Sequence, residues 1–75
     1  MNEAVTIPML LDAREAARLL GLGRSTFYRL HTSGRVPSPV HLGGAVRWRR
    51  EELEAWARAG CPPRAKWSWN PRDAA

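Results

Sequence analysis

AARLLGLGRSTFYRL, residues 16–30, is the stretch that decides how this chain folds. A helical pattern stops at Gly21, the link Gly21-Leu22-Gly23 follows, and a second helical pattern starts at Arg24. So short a link leaves no room for a wandering loop, and two short helices must meet at a fixed angle. In the second helix Phe27, Leu30 and His31 recur at i, i+3, i+4 and share one side. Ser25, Tyr28, Arg29 and Thr32 recur at i, i+3, i+4, i+7 on the opposite side. The second helix therefore has an apolar stripe to bury and a polar, hydrogen-bonding face to offer. Two such helices around a glycine-containing turn make a helix-turn-helix unit. A helical hairpin with a solvated polar face would carry the same pattern, so the neighbouring elements have to decide.

Upstream, the apolar run Ile7–Leu11 leads into Asp12-Ala13-Arg14-Glu15, which has the D-x-x-E form of a capping box. The first helix is expected from Ala13 to Leu20, with Ala16, Leu19 and Leu20 inward and Arg14 and Arg18 outward. Gly21 ends it in the left-handed conformation. The second helix is expected over 24–33 and stops at Gly34.

Downstream, RVPSPVHLGGAVRWRR (35–50) has two β-prone runs around a glycine pair, the signature of a hairpin. A two-residue Gly43-Gly44 turn pairs Leu42 with Ala45 and His41 with Val46. A loop of Gly43, Gly44 and Ala45 pairs Leu42 with Val46 and Val40 with Trp48. The second register gathers those four apolar side chains on one face and is the expected one. It leaves His41, Arg47 and Arg49 on the outer face. A third helix is expected from Glu51 to Ala59, with Leu53, Trp56 and Ala57 inward and Gly60 as its stop. Arg50 stands where a Ser or Asp cap would serve better, although Glu51 and Glu52 suit the helix dipole. The sum is a small α+β fold, a winged helix-turn-helix: three helices with a two-stranded β-hairpin wing between the second and third. Residues 1–9 read as an N-terminal arm, 10–60 as the winged helix-turn-helix domain, and 61–75 as a Pro- and Trp-containing tail.

Composition narrows the function. Seventy-five residues make one domain, and a chain this short buries only ~60% of its unfolded surface, which leaves little room for an enclosed catalytic pocket. No apolar run approaches the ~18 residues of a membrane span, and the N-terminus lacks a basic region followed by a long apolar core. The single Cys cannot form an internal disulfide and has no second Cys beside it. A cytoplasmic protein fits best. A net charge of +5 and a pI near 11.1 suit a polyanion, because basic side chains replace condensed counterions on nucleic acid. Eleven of the twelve basic residues are Arg, which a GC-rich genome would also produce, so placement matters more than the total. Arg47, Arg49 and Arg50 in the hairpin add a second basic surface beside the helix pair.

At this point the chain resembles a known family. EAARLLGLGRSTFYRL, SGRVPSPVHLGG and VRWRREELEAW, in that order, look like the small winged helix-turn-helix proteins of the MerR-like superfamily, closest to the AlpA-type regulators and phage excisionases. The resemblance covers residues 10–57. It implies a helix-turn-helix in the major groove and a wing on the adjacent minor groove or backbone. Such proteins regulate genes of mobile elements or direct an integrase toward excision by bending DNA. Carried onto this chain, the recognition positions are Arg24, Ser25, Thr26, Tyr28 and Arg29, and the wing positions are His41, Gly43, Gly44 and Arg47. Thr32 and Arg49 join them from the polar face and the outer strand. Three departures stand out: Gly23 in place of a capping Ser, Arg50 in place of Ser or Asp, and His31 in place of an aliphatic residue.

Other candidates have plainer roles. Trp48 and Trp56 fall in apolar registers and read as core. Trp67 and Trp69 can fold back on the domain, stack on nucleic acid or dock a partner, and KWSW alone does not choose. His31 and His41 are too isolated to make a metal site. Cys61 reads as a helix-end residue, and Ser25 has no neighbouring base that would make it a nucleophile. No cofactor pattern is visible. The reading is a DNA-binding protein rather than an enzyme, with double-stranded DNA as its partner. Self-association or cooperative loading on DNA is expected, because one domain contacts a short site. The rival is an adaptor that docks an integrase or polymerase through its Trp-containing tail.

Overall fold

The computed structural model describes residues 8–70. The expected N-terminal arm lies outside the described residues up to residue 7, as do residues 71–75 of the expected tail. In chain order the elements are β1 (Leu10–Leu11), α1 (Ala13–Leu19), α2 (Arg24–Thr32), β2 (Val40–Leu42), β3 (Ala45–Arg49), α3 (Arg50–Arg58) and a 3-10 turn (Arg64–Lys66). Three helices and a three-stranded antiparallel sheet make a small α+β fold.

The capping box forms as the sequence implies. The Glu15 amide donates to Asp12 Oδ1 at 2.8 Å, and the Asp12 amide donates to Glu15 Oε1 at 2.9 Å. Two otherwise orphaned N–H groups are satisfied at the start of α1. The buried stripe of α1 includes Ala16 and Leu20 as expected, but not Leu19. Ala13, Ala16 and Ala17 are buried and Leu20 packs against them, while Leu19 is 40% exposed. Residues 13, 16, 17 and 20 follow i, i+3, i+4, i+7, and Leu19 sits at the wrong angle for that stripe however apolar it is.

All three helices end alike. After α1, the Leu22 amide bonds Ala17 O at 2.8 Å and the Gly21 amide bonds Arg18 O at 3.1 Å. This is the 6→1 and 5→2 pair of a Schellman motif, and it needs the left-handed φ of +73° found at Gly21. Arg35 to Leu30 with Gly34 to His31, and Cys61 to Trp56 with Gly60 to Ala57, repeat it after α2 and α3. The turn between α1 and α2 is therefore fixed by hydrogen bonds.

The sheet corrects two expectations. It has three strands in the order β1-β3-β2, because Leu10 and Leu11 pair with Arg49 and Trp48 along β3. The β2–β3 hairpin also takes the other register: Val40 pairs with Arg47, His41 with Val46 and Leu42 with Ala45. Gly43 alone of the two turn glycines has positive φ, +62°, the pattern of a type II′ turn, whose twist matches the strands. The expected register sought an apolar partner for Trp48 in Val40. Leu11, buried directly opposite Trp48, supplies that partner instead, and Leu42 at the tip is left 64% exposed.

Phe27, Val36, Trp48, Leu53 and Trp56 join Leu11 and the three alanines of α1 in one core. Full burial of a side chain such as Phe27 contributes about 1.5–3 kcal/mol. Helix α3 starts one residue earlier than expected, at Arg50. Ala57, expected inward, is exposed, and Glu52 is buried in its place. The cause is the chain after α3. Expected as a tail without helical period, it folds back through its 3-10 turn. Trp67 packs on the core with its indole N–H on Glu52 Oε2 at 3.0 Å, and Trp56 Nε1 holds Pro62 O at 2.8 Å.

Candidate nucleic-acid interface

Helix α2 presents Arg24, Ser25, Tyr28, Arg29 and Thr32 to solvent, with Tyr28 48% exposed, and Thr26 half-buried. The opposite side is anchored by Phe27, which has no exposure, and by the partly buried Leu30. Thr32 Oγ1 donates to Arg29 O at 3.1 Å, so that hydroxyl meets an outside group as an acceptor. The start of α2 is open. Gly23 provides no side-chain cap and no acidic residue occupies the first turn, so the first amides and the positive end of the dipole face outward beside Arg24.

The hairpin stands next to this face, with a groove between them lined by Tyr28, His31, Gly44, Val46 and Trp48. Trp48 sets the spacing. Its ring lies edge-on to Phe27 (centroids 4.8 Å apart, planes at 80°) and to His31 (5.2 Å, 88°). Its indole N–H donates to Pro37 O at 3.1 Å. A strand residue is thus locked to two successive turns of α2 and to the loop that joins helix to hairpin.

The register distributes the hairpin's candidate residues. Gly43 and Gly44 form the exposed tip. Arg47 lies across from Val40, its guanidinium donates to Val46 O at 2.9 Å, and among the described residues it makes no ion pair. His41 does not share a face with Arg47 and Arg49 as expected. Paired with Val46, it lies on the Trp48 side, and the two-residue turn is the reason. Arg49 shares the face of Arg47 and its side chain is 45% exposed, but its guanidinium is engaged by neighbours in the chain. Nη1 pairs with Glu52 Oε1 at 3.1 Å, and the charge lies 5.9 Å from the centre of the Trp69 ring. Arg50 is likewise tied, to Glu54 at 3.5 Å and to Pro8 O at 3.1 Å.

Charge is segregated along the chain. Between Glu15 and Glu51 there are seven arginines (Arg18, Arg24, Arg29, Arg35, Arg47, Arg49 and Arg50) and no carboxylate side chain. That span carries all of α2 and the hairpin. The acids of α3 pair with Arg49 and Arg50 at its far end; Arg47 lines the groove together with Asp12, the cap of α1, while Arg24 and Arg29 stand on the exposed face of α2. His31 is held below the ordinary histidine pKa of 6.5, first by burial and then by the Arg64 guanidinium. Its Nδ1 lies 3.2 Å from Arg64 Nη2, and since Arg can only donate, neutral His31 accepts there and carries its proton on Nε2.

Arg64 and the strand β1 escaped sequence reasoning. Arg64 contacts His31 across 33 positions, and a two-residue strand is too short for alternation to show. Among the described residues no cluster of three or more His, Cys, Asp or Glu is placed to hold a metal, and no helix is long and apolar enough to cross a membrane.

Comparison with known proteins agrees with this geometry. Residues 10–61 match the family described as a helix-turn-helix domain. Over 53 residues the chain is 42% identical to the uncharacterized protein ORF88 of Enterobacteria phage P4, a similarity that covers 69% of this chain and 60% of the phage protein. No solved structure matches.

Proposed function

Because the chain belongs to the helix-turn-helix domain family, in its AlpA- and excisionase-like form, we propose that it binds double-stranded DNA sequence-specifically through α2 and the β2–β3 hairpin. Helix α2 enters the major groove, where Arg29 pairs bidentately with guanine, Ser25 and Tyr28 meet base edges, sugars or phosphates, and Thr32 accepts from a base amino group. Arg24, Thr26 and the open first turn of α2 hold a phosphate. The hairpin acts as the wing: Gly43 and Gly44 let its tip approach the backbone closely, Arg47 contacts phosphate, and His41 reaches in from the groove side. Arg49, already paired with Glu52, braces the wing rather than touching DNA. The observation that carries this reading is the exposed polar face of α2 beside a basic hairpin, in a stretch without a carboxylate.

The similarity to a phage protein favours a mobile-element setting, with the chain acting there as a transcriptional regulator or a recombination directionality factor. Binding several short sites cooperatively suits a domain of this size, and the work belongs to the cytoplasmic nucleoid. A Trp-tail adaptor has less to stand on, since Trp67 and Trp69 are turned onto the domain. The test is selection of bound fragments from random duplex DNA, followed by titration of Arg29→Ala on the selected site. Loss of Arg29 should cost ~1–3 kcal/mol and relax preference at one base position. Recovery of no enriched sequence, or binding by the variant as tight and as selective as the parent's, would refute the assignment. Bending of the selected site, read by gel mobility of permuted fragments, separates a directionality factor from a simple regulator.

A further inference from the structure

The family match stops at residue 61, yet the chain just beyond it holds the recognition helix in place. Arg64 is the residue that does this. Its backbone N–H donates to Gly34 O at 3.0 Å and its Nε to Val36 O at 2.8 Å. Its Nη2 donates to His31 O at 3.1 Å and lies 3.2 Å from His31 Nδ1. His31 is in the last turn of α2, Gly34 is the left-handed stop after it, and Val36 is the fully buried start of the path into the hairpin. The side chain therefore ties the last turn of α2 to Val36 in the middle of the connection, next to Pro37, whose carbonyl holds Trp48 of the hairpin. It also sets a cation at the C-terminus of α2, where the helix dipole favours it. The strap that carries Arg64 is fastened on either side, by Trp56 to Pro62 O and by Trp67 to Glu52.

Building on the DNA-binding reading, we propose that Arg64 is a positioning residue for recognition. It fixes the end of α2 relative to the wing, so that both surfaces meet one duplex in one register, and it makes no DNA contact of its own. The logic is preorganisation: a helix end and a wing free to move separately would have to be ordered on binding, and that cost falls on the specific complex. Random duplex, held through phosphates without a fixed register, tolerates the looseness.

The experiment uses the full chain with Arg64→Met, Arg64→Lys and, as a charge-matched control from the same 3-10 turn, Lys66→Met. Circular dichroism first sets a temperature at which each variant is folded. Affinity for the selected site and for random duplex is then measured across a salt series, alongside hydrogen exchange of the amides of residues 33–36. Arg64→Met should lose about tenfold on the selected site and less than about twofold on random duplex, with the salt slope of Lys66→Met and faster exchange at 33–36. Arg64→Lys, which keeps the charge without the planar fork, should fall between, and it decides the matter if Arg64→Met does not fold. Parallel losses on both duplexes with a shallower slope than the control would make Arg64 a phosphate contact and overturn the proposal. So would unchanged affinity for the selected site. If the parent chain bound no duplex, the functional reading itself would fail and take this proposal with it, an outcome distinct from a binding parent with an indifferent variant.

Discussion

Arg47 and Arg49 lie two residues apart on one face of β3, and the structure predicts opposite behaviour for them on DNA. Arg47→Ala and Arg49→Ala each remove one positive charge, so any difference between them reports position rather than net charge. Arg47 has no carboxylate partner among the described residues, whereas Arg49 is paired with the nearly buried Glu52 at 3.1 Å. If Arg47 contacts a phosphate it releases about 0.9 of a counterion, so its loss should flatten the plot of log K against log salt by about 0.9. Referred to 1 M salt, where release contributes nothing, that is about 0.9 log units at 0.1 M, or ~8-fold and ~1.2 kcal/mol. The loss should be similar for every sequence. Arg49→Ala should leave the slope within about 0.2 of the parent, because an arginine already neutralised by a carboxylate has no counterion to release. Its cost should appear in folding instead, at about 1 kcal/mol or less for a partly exposed pair. Fluorescence anisotropy from 50 to 300 mM salt, with urea denaturation of the same samples, reads both. Equal slope changes in the two variants would refute the division between a contacting and a bracing arginine.

Three further outcomes follow from the geometry. Trp48→Phe leaves the carbonyl of buried Pro37 without its donor and opens space beside Phe27 and His31, so denaturation should show a loss of about 2–4 kcal/mol; a loss below about 0.5 kcal/mol would mean that Trp48 does not lock the hairpin to α2. The pKa of His31 is lower in the folded chain than the ordinary 6.5, so its contribution to stability is complete above 6.5 and is lost as pH falls toward the folded value. The urea midpoint should therefore drop between pH 7.5 and 5.5, and His31→Gln, which keeps an acceptor for Arg64, should flatten that drop; an equally steep fall in the variant would place the titrating group elsewhere. Gly23 has the extended backbone of an N-cap (φ −72°, ψ 156°), and a Cβ there meets nothing within 4 Å. Gly23→Ser should thus stabilise the fold by about 0.5–1 kcal/mol, and a lowered thermal midpoint would show that the turn does not admit a capping hydroxyl.

How far the sequence could be read follows from the range of the interactions involved. Helix starts and stops are set within six residues, by the Asp12–Glu15 box and by glycines whose positive φ is needed at the helix end, so α1, α2 and α3 were legible to within a residue or so at each end. The polar and apolar sides of α2 were legible too, since nine residues give the period enough turns to show. The stripe of α1 departs from expectation at Leu19, because angle rather than hydrophobicity decides which residues face the core, and the three alanines lie on that side. The hairpin register failed for a different reason. Counting apolar residues on one face presumes that the hairpin must supply its own partners. The partner of Trp48 comes from Leu11, 37 positions away, and with that place filled the glycine turn was free to take its preferred two-residue form.

The same difference in range divides the candidate interface. Residues that face outward from α2 declare themselves by period, because exposure needs no partner. Whether an exposed-looking arginine is available is a question about its neighbours, and three arginines of like appearance answer it in three ways. Arg47, half-buried on its strand, has no carboxylate partner among the described residues, Arg49 is held by an acid on the next helix, and Arg64 is spent on three backbone carbonyls and a ring nitrogen of residues 28 to 33 positions earlier. Net charge counts all three alike. If Arg47 binds phosphate, Arg49 braces and Arg64 positions, then the +5 of the chain overstates the cations that DNA meets. The measured salt slope should accordingly be smaller than the number of arginines in residues 16–50 would suggest, and a slope that needs all seven would show that the internal pairs open when DNA binds.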